Sequence, residues 1–223
     1  MMELWYPRVC NLCHGRLTSV EQLICRSCLI TLPRARFATC HENMMDKQLW
    51  GRTNIHGCLT YLLFRPGSLS RKLLHAVKYR DMPEIGYYFG MHFAIEQQKL
   101  FSELQPDIIA PVPLHPKKLI TRGYNQSERI AAGMAEVLGI SLNQDMLLRS
   151  ELRDTQTKFG RYKRWENVNG IYQVQEEESY YGKKVLLVDD VFTTGATVIA
   201  CVDALKRVEG LEVSVATLAM AYK

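Results

Sequence analysis

The residues whose types and order most directly suggest chemistry lie near the carboxyl end. Val185 to Val188 is a short apolar run that ends abruptly in Asp189 and Asp190, and Val191, Phe192, Thr193, Thr194, Gly195, Ala196 and Thr197 follow. Such a run suits a strand buried on both faces of a parallel sheet. Where the strand breaks into a loop, both acids can be presented at its carboxyl end, which is where open α/β sheets bind ligands. The small and hydroxylated residues then open a helix with Val198, Val202 and Leu205 along one face. Free backbone N–H groups at a helix start, with added hydroxyl donors, make an anion cradle. Diol-binding carboxylates joined through Val191 to a phosphate cradle describe one ligand, a ribose 5-phosphate held at its hydroxyl edge and its phosphate.

Three other readings of the stretch compete. A response-regulator receiver also ends an apolar strand in two acids, but most of its domain lies downstream and here the chain soon ends. A Walker B strand needs a P-loop, and no GxxxxGK[ST] occurs, since Gly182-Lys183-Lys184 lacks the hydroxyl residue. A plain buried strand with a capped helix would place two adjacent acids at its end to no purpose.

A second constellation sits near the amino end. Cys10-Asn-Leu-Cys13 and Cys25-Arg-Ser-Cys28 are two CxxC pairs separated by a short loop containing Gly15. Paired knuckles of this kind supply four thiolates to one tetrahedral zinc ion, and four sulfur ligands leave no open position for catalysis. Metal binding would contribute on the order of 10 kcal/mol to folding a segment this poor in apolar residues. The alternative is four reduced cysteines paired by chance. His14 reads as a surface residue, and Cys58 and Cys201 as small core residues.

The remaining composition frames these sites. With 223 residues, 47% of them hydrophobic and 23% charged, the chain can hold one medium domain and a small module. No apolar run reaches membrane-spanning length, and Arg8 and Cys10 interrupt any signal-peptide pattern, so no membrane insertion is expected and the cytoplasm is the expected compartment. A net charge of +5 agrees with an anionic ligand, a polyphosphate sugar or a nucleic acid, without choosing between them. Seven cysteines, four in CxxC spacing, argue for metal over disulfides in a reducing compartment.

The elements that must position the sites follow from periodicity. Residues 1–51 form the zinc-ribbon-like module with a linker from Pro33 that packs down through Trp50, and 52–223 form the second domain. Its expected parts are a strand over Ile55–Phe64, a turn at Pro66-Gly67 and a helix over Ser70–Lys78 with Leu73, Leu74 and Val77 inward. A helix from Pro83 to Leu100 would bury Ile85, Phe89, Phe93 and Ile95. Asp107–Val112 is a second buried strand, and the basic loop Pro113-Leu114-His115-Pro116-Lys117-Lys118 follows, stiffened by its prolines. Ser127 is placed to cap a helix running to Gly139. Short strands at Met146–Arg149 and Ile171–Val174 and a closing strand at Leu211–Met220 complete the chain. Parallel strands near 108, 147, 186 and 215, alternating with helices, predict an α/β fold with a doubly wound, mostly parallel sheet.

Four apolar residues, two acids and a TTGAT loop resemble the phosphoribosyl pyrophosphate motif of the type I phosphoribosyltransferases. With PVPLHPKK at 111–118, RGYNQS at 122–127 and the amino-terminal CxxC pairs, nearly the whole chain resembles the ComF family, competence-associated proteins in which a zinc finger precedes a phosphoribosyltransferase-like domain. Many relatives carry a further cysteine pair before the second domain. This chain keeps only Cys40 and Cys58 there, so the resemblance carries one metal site.

The resemblance implies roles. Asp189 and Asp190 hold the sugar hydroxyls as the catalytic pair, and Val191, Thr193, Thr194, Gly195, Ala196 and Thr197 bind the 5-phosphate side. The loop after the Asp107–Val112 strand receives pyrophosphate, which brings in Pro113, Leu114, His115, Lys117 and Arg122; the competing reading is a solvated loop. Lys158 and Arg161 lie in a basic, aromatic stretch over 155–168 that suits a mobile cationic cover. The same stretch could instead grip single-stranded DNA, with Tyr162 and Trp165 stacking bases, or form an exposed amphipathic helix. The implied cofactors are structural zinc at Cys10, Cys13, Cys25 and Cys28, and magnesium accompanying phosphoribosyl pyrophosphate. The function implied is phosphoribosyl transfer to an unknown acceptor in natural competence. The alternative is a non-catalytic DNA-handling factor that meets single-stranded DNA and competence or recombination proteins.

Overall fold

Apolar runs around residues 60, 110, 188 and 216 become strands of one sheet in the computed structural model, which describes residues 7–65, 67–79, 82–150 and 171–222. In chain order the described elements are α1 (Arg26–Thr31), α2 (Met44–Leu49), β1 (Gly57–Phe64), α3 (Leu69–Tyr79), α4 (Pro83–Glu96) and α5 (Gln98–Leu104). Next come β2 (Ile108–Pro111), α6 (Pro116–Arg122), α7 (Gln126–Leu138), β3 (Ser141–Leu142), β4 (Leu147–Arg149) and β5 (Tyr172–Val174). The chain closes with β6 (Lys184–Phe192), α8 (Ala196–Leu205) and β7 (Glu212–Ala221).

The main sheet has the order β1-β7-β6-β2-β3, and every neighbouring pair is parallel. From β2 the chain winds outward through α7 to β3, and from β6 it winds the other way through α8 to β7. The adjacent strands β2 and β6 therefore flank the point where winding reverses. Their carboxyl ends open the crevice in which doubly wound sheets take ligands.

Strand alternation sorts the core into two layers. Leu186 and Val188 face a cluster with Leu73, Phe89, Phe93, Phe101 and Ile130 from α3, α4, α5 and α7. Val185 and Leu187 face the opposite cluster, with Met45 and Leu49 from α2 and Val198, Val202 and Leu205 from α8. This period of two across a fully covered strand is what a buried parallel sheet requires. α4 and α7 approach so closely that a Cβ at Gly90 would meet the Ile130 carbonyl oxygen at 2.1 Å, and one at Gly133 the Tyr87 carbonyl oxygen at 2.1 Å. Only glycines permit that crossing, and it fixes the start of α7 against β2 and β6.

The amino-terminal module shares the first of these layers. Cys10, Leu12, Ile24, Cys28 and Leu32 belong to the same apolar cluster as Leu59, Tyr61 and Phe93. Arg34 fastens it, donating from Nε and Nη2 to the two Glu96 carboxylate oxygens at 2.8 and 3.0 Å while lying 4.5 Å from the Tyr61 ring centroid. The Tyr61 hydroxyl donates to the same carboxylate at 2.5 Å.

Several expectations need correction. The strand near 147 is absent from the main sheet, because β4 pairs antiparallel with β5 in a separate two-stranded ribbon, and β1 supplies the outer parallel strand instead. The expected helix over 83–100 breaks at Gln97, whose N–H caps back to Phe93, and Ile95 is 56% exposed. Trp50 does not pack the linker down, being 58% exposed; Met45 and Leu49 of α2 do so. The loop after β2 is shorter than expected, since Pro116 starts α6. Asn125, not Ser127, caps α7, accepting the Ser127 N–H at 3.1 Å. The turn at 66–67 and the 155–168 stretch, with Lys158, Arg161, Tyr162 and Trp165, include or lie on residues outside the described ones.

Candidate phosphoribosyl site and cysteine cluster

The acids and the threonine loop meet at the carboxyl edge of β6, in the crevice beside β2. The strand does not break at Asp189 as its sequence suggested. It runs on through both acids to Phe192, with Asp189 in register with Thr217 of β7. Both acids are consequently buried, Asp189 8% and Asp190 4% exposed.

Each has a partner from a distant element. The Ser127 hydroxyl at the start of α7 donates to Asp189 Oδ1 at 3.0 Å, and the Asp190 backbone N–H donates to the same oxygen at 2.8 Å. Lys78, in the last turn of α3, brings its ammonium within 2.9 Å of Asp190 Oδ2. That contact is one of charge, because among the described residues no donor is aligned for hydrogen bonding on Asp190 Oδ2. The Tyr124 hydroxyl donates to the Val77 carbonyl at 2.6 Å and Asn125 Nδ2 to the Val112 carbonyl at 3.1 Å. The RGYNQS stretch thus ties the ends of α3 and β2 to the acids. Burial, and then the neighbouring charge of Asp190, push the Asp189 carboxyl up to about 7.

The phosphate half has the opposite character. Thr193, Thr194, Ala196 and Thr197 are exposed, and α8 starts after Gly195, which holds φ +76°. A Cβ on Gly195 would lie 3.0 Å from the Phe192 ring, so both the backbone angle and the space select glycine. The Thr194 hydroxyl accepts the Ala196 N–H at a long 3.4 Å. The first N–H groups of α8 remain available as an anion cradle.

Beside them, the Val112 N–H donates to the Val188 carbonyl at 2.8 Å, which brings Pro113, Leu114 and His115 to the same edge as the acids. His115 caps α6, its Nδ1 accepting the Lys117 N–H at 3.1 Å. α6 carries Lys117 and Arg122 yet buries no residue, and Ile120 is 85% exposed. Lys117 is exposed, and among the described residues it forms no ion pair. Ser127 and Lys78 reach the acids although local pattern gave them no such place, Ser127 lying 62 positions from its acid.

The second site is the cysteine cluster. The Sγ atoms of Cys10, Cys13, Cys25 and Cys28 all lie within 4.8 Å of one another, with 3.7 Å between Cys13 and Cys25. A tetrahedron with Zn–S bonds of about 2.3 Å needs S···S separations of about 3.8 Å, so the donor set fits a metal ion of that size. Backbone N–H groups of Leu12 and Cys25 point at Cys10 Sγ at 3.4 and 3.3 Å, and that of Gly15 at Cys13 Sγ at 3.4 Å. Burial opposes charge on Cys10, but the backbone N–H groups of Cys25, Cys13 and Leu12 and the Cys13 thiol outweigh it and draw the thiol down to about 7. His14 is exposed and stays outside the cluster. Cys58 and Cys201 are buried among apolar residues, as expected.

Residues 125–223 match the phosphoribosyl transferase domain family, whose span begins at the α7 cap and includes the acids and the threonine loop. The DNA utilization protein YhgH of Escherichia coli K12 is 25% identical over 209 residues, covering 92% of this chain and 87% of that protein. The competence protein ComFC of Bacillus subtilis 168 is 26% identical over 198 residues, covering 85% and 74%. The competence protein F of Haemophilus influenzae Rd is 30% identical over 134 residues, covering 59% and 58%. The chain is thus similar to the YhgH and ComFC proteins over most of its length. Among solved structures, a glutamine phosphoribosylpyrophosphate amidotransferase from B. subtilis aligns with a TM-score of 0.44 and 19% identity over 64% of this chain and 30% of its own. The chain joins a type I phosphoribosyltransferase-like parallel sheet to an amino-terminal four-cysteine cluster. Among its described residues no helix is long and apolar enough to cross a membrane.

Proposed function

We propose that the site binds phosphoribosyl pyrophosphate with magnesium and transfers the phosphoribosyl group to an acceptor, in the cytoplasm of a cell handling incoming DNA. The observation that carries this reading is the junction of a buried acid pair and an exposed threonine-rich helix start at the sheet's winding reversal.

Asp189 and Asp190 accept hydrogen bonds from the two ring hydroxyls, and Thr193 to Thr197, flanked by Val191, hold the 5-phosphate. Asp190 Oδ2, buried and without an aligned donor among the described residues, is the oxygen best placed to take a hydroxyl or a metal-bound water. Lys78 stands there as counter-ion, so a sugar reaches Asp190 by displacing or sharing that ammonium. Departure of pyrophosphate leaves positive charge at the anomeric carbon, which fixed carboxylates stabilise without reorganising. Pro113, Leu114 and His115 present pre-organised backbone to the leaving group, with Lys117 and Arg122 on α6 adding charge nearby. Magnesium, when bound with the substrate, neutralises developing charge on the pyrophosphate oxygens and keeps most of its ligands from substrate and water. The four thiolates hold zinc in a structural role.

Purified protein supplied with phosphoribosyl pyrophosphate and magnesium should release pyrophosphate, water taking the acceptor's place at the anomeric carbon, and Asp190→Asn should abolish the release. Equal release from both proteins refutes the assignment.

A second reading is a non-catalytic single-stranded-DNA factor. The unpacked α6, with Lys117 and Lys118 beside exposed Leu119 and Ile120, is what favours it, as does similarity to a DNA utilization protein of E. coli. DNA affinity would then fall steeply with salt, vanish in Arg161→Ala/Arg164→Ala and ignore Asp190→Asn.

A further inference from the structure

The threonine loop carries no cation of its own between Val191 and Thr197, yet one is delivered to it from far away in the chain. Arg52, just beyond α2, donates from Nη1 to the Thr194 carbonyl oxygen at 2.7 Å, across 142 positions of sequence. The same nitrogen reaches the Gln48 carbonyl at 3.3 Å. Leu49 of α2 supports the approach from below, its Cδ2 only 3.4 Å from where a Gly195 Cβ would stand. Arg52 is exposed and forms no salt bridge among the described residues, and no hydrogen bond there uses its Nε or Nη2. A guanidinium offers five N–H donors in a planar fork, so one nitrogen can anchor on the carbonyl while the other donors turn to a phosphate. An arginine held beside an anion cradle with no carboxylate partner is a site for a dianion.

We propose that Arg52 is a phosphate-binding residue of this pocket, supplying to the ligand's 5-phosphate the positive charge that the loop lacks. The assignment rests on the ribosyl-phosphate reading above and extends it. Part of the binding site then comes from the segment preceding β1, outside the span that matches the phosphoribosyl transferase domain.

The test is titration of the full chain with ribose 5-phosphate, comparing wild type with Arg52→Ala, Arg52→Lys and Arg52→Gln. Loss of a charge-assisted contact should weaken binding about tenfold in Arg52→Ala. Lysine keeps the charge and should restore much of the affinity. Glutamine keeps an N–H donor for the Thr194 carbonyl without charge and should not. The phosphate's second ionisation, near pH about 6, gives a further readout: wild-type affinity should rise from pH 5.5 to 7.5 more than that of Arg52→Ala. Unchanged binding in Arg52→Ala, or full rescue by glutamine, overturns the proposal and leaves the pocket itself standing. Failure of wild type to bind ribose 5-phosphate at all overturns the pocket, and the role of Arg52 with it.

Discussion

Asp189 and Asp190 are buried and already partnered, by the Ser127 hydroxyl, a backbone amide and the Lys78 ammonium, whereas Thr193, Thr194 and Thr197 a few residues further on face solvent. The two ends of one pocket thus meet a ligand in different states. At the acid end the protein bears a desolvation cost before any ligand arrives, and it offsets that cost with one cation and one elevated carboxyl. At the phosphate end the donors stay hydrated, and a ligand need only replace water. A ribosyl phosphate entering such a pocket would settle its phosphate first and compete for the acids second.

The largest effect should come from unbalancing the acid end. Lys78→Ala leaves a carboxylate of a buried pair without its counter-ion, and should destabilise the ligand-free protein by about 3 kcal/mol in urea unfolding. A change within about 0.5 kcal/mol, the range of ordinary surface substitutions, would show that the acid end is hydrated after all.

Asp189→Asn should act next, with a pH dependence of definite sign. Folding raises this carboxyl to about 7, so the folded state favours the proton and loses that stabilisation as pH climbs through about 7. Asparagine can still accept from Ser127 and never ionises. Its advantage over wild type in thermal midpoint should therefore widen from pH 6 to pH 8, and a gap that stays constant would show that Asp189 does not titrate there.

The smallest effect belongs to the phosphate end. Gly195→Ala forces a side chain onto a backbone at φ +76° and against Phe192. It should cost about 1 kcal/mol in unfolding while weakening phosphate-bearing ligands. A stabilised or unchanged protein would mean that the turn relaxes freely and does not pre-form the cradle.

How much of this was legible in the sequence follows the same division. The threonine loop, the acids and the four cysteines are contiguous or closely spaced, and local geometry dictates their order, so pattern alone found them. Ser127, Lys78 and Arg52 escaped because their meaning lies in contacts across the fold, and a lysine ending an amphipathic helix looks like any solvated charge. The apolar run at 146–149 announced a strand, but periodicity cannot say which sheet a strand joins, and it paired with β5. Two adjacent acids suggested a strand end. Pairing with β7 carried β6 past them to Phe192, which is why burial of the acids exceeded expectation. Trp50 looked like an anchor by its size, while the smaller Met45 and Leu49 did the packing.

The account turns on whether the buried acids and the open cradle serve one ligand. Calorimetric titration with phosphoribosyl pyrophosphate and magnesium, on wild type and Asp190→Asn, asks this directly. We expect saturable one-site binding by wild type and at least a tenfold loss in the variant. No binding by wild type, or equal binding by both proteins, would contradict it.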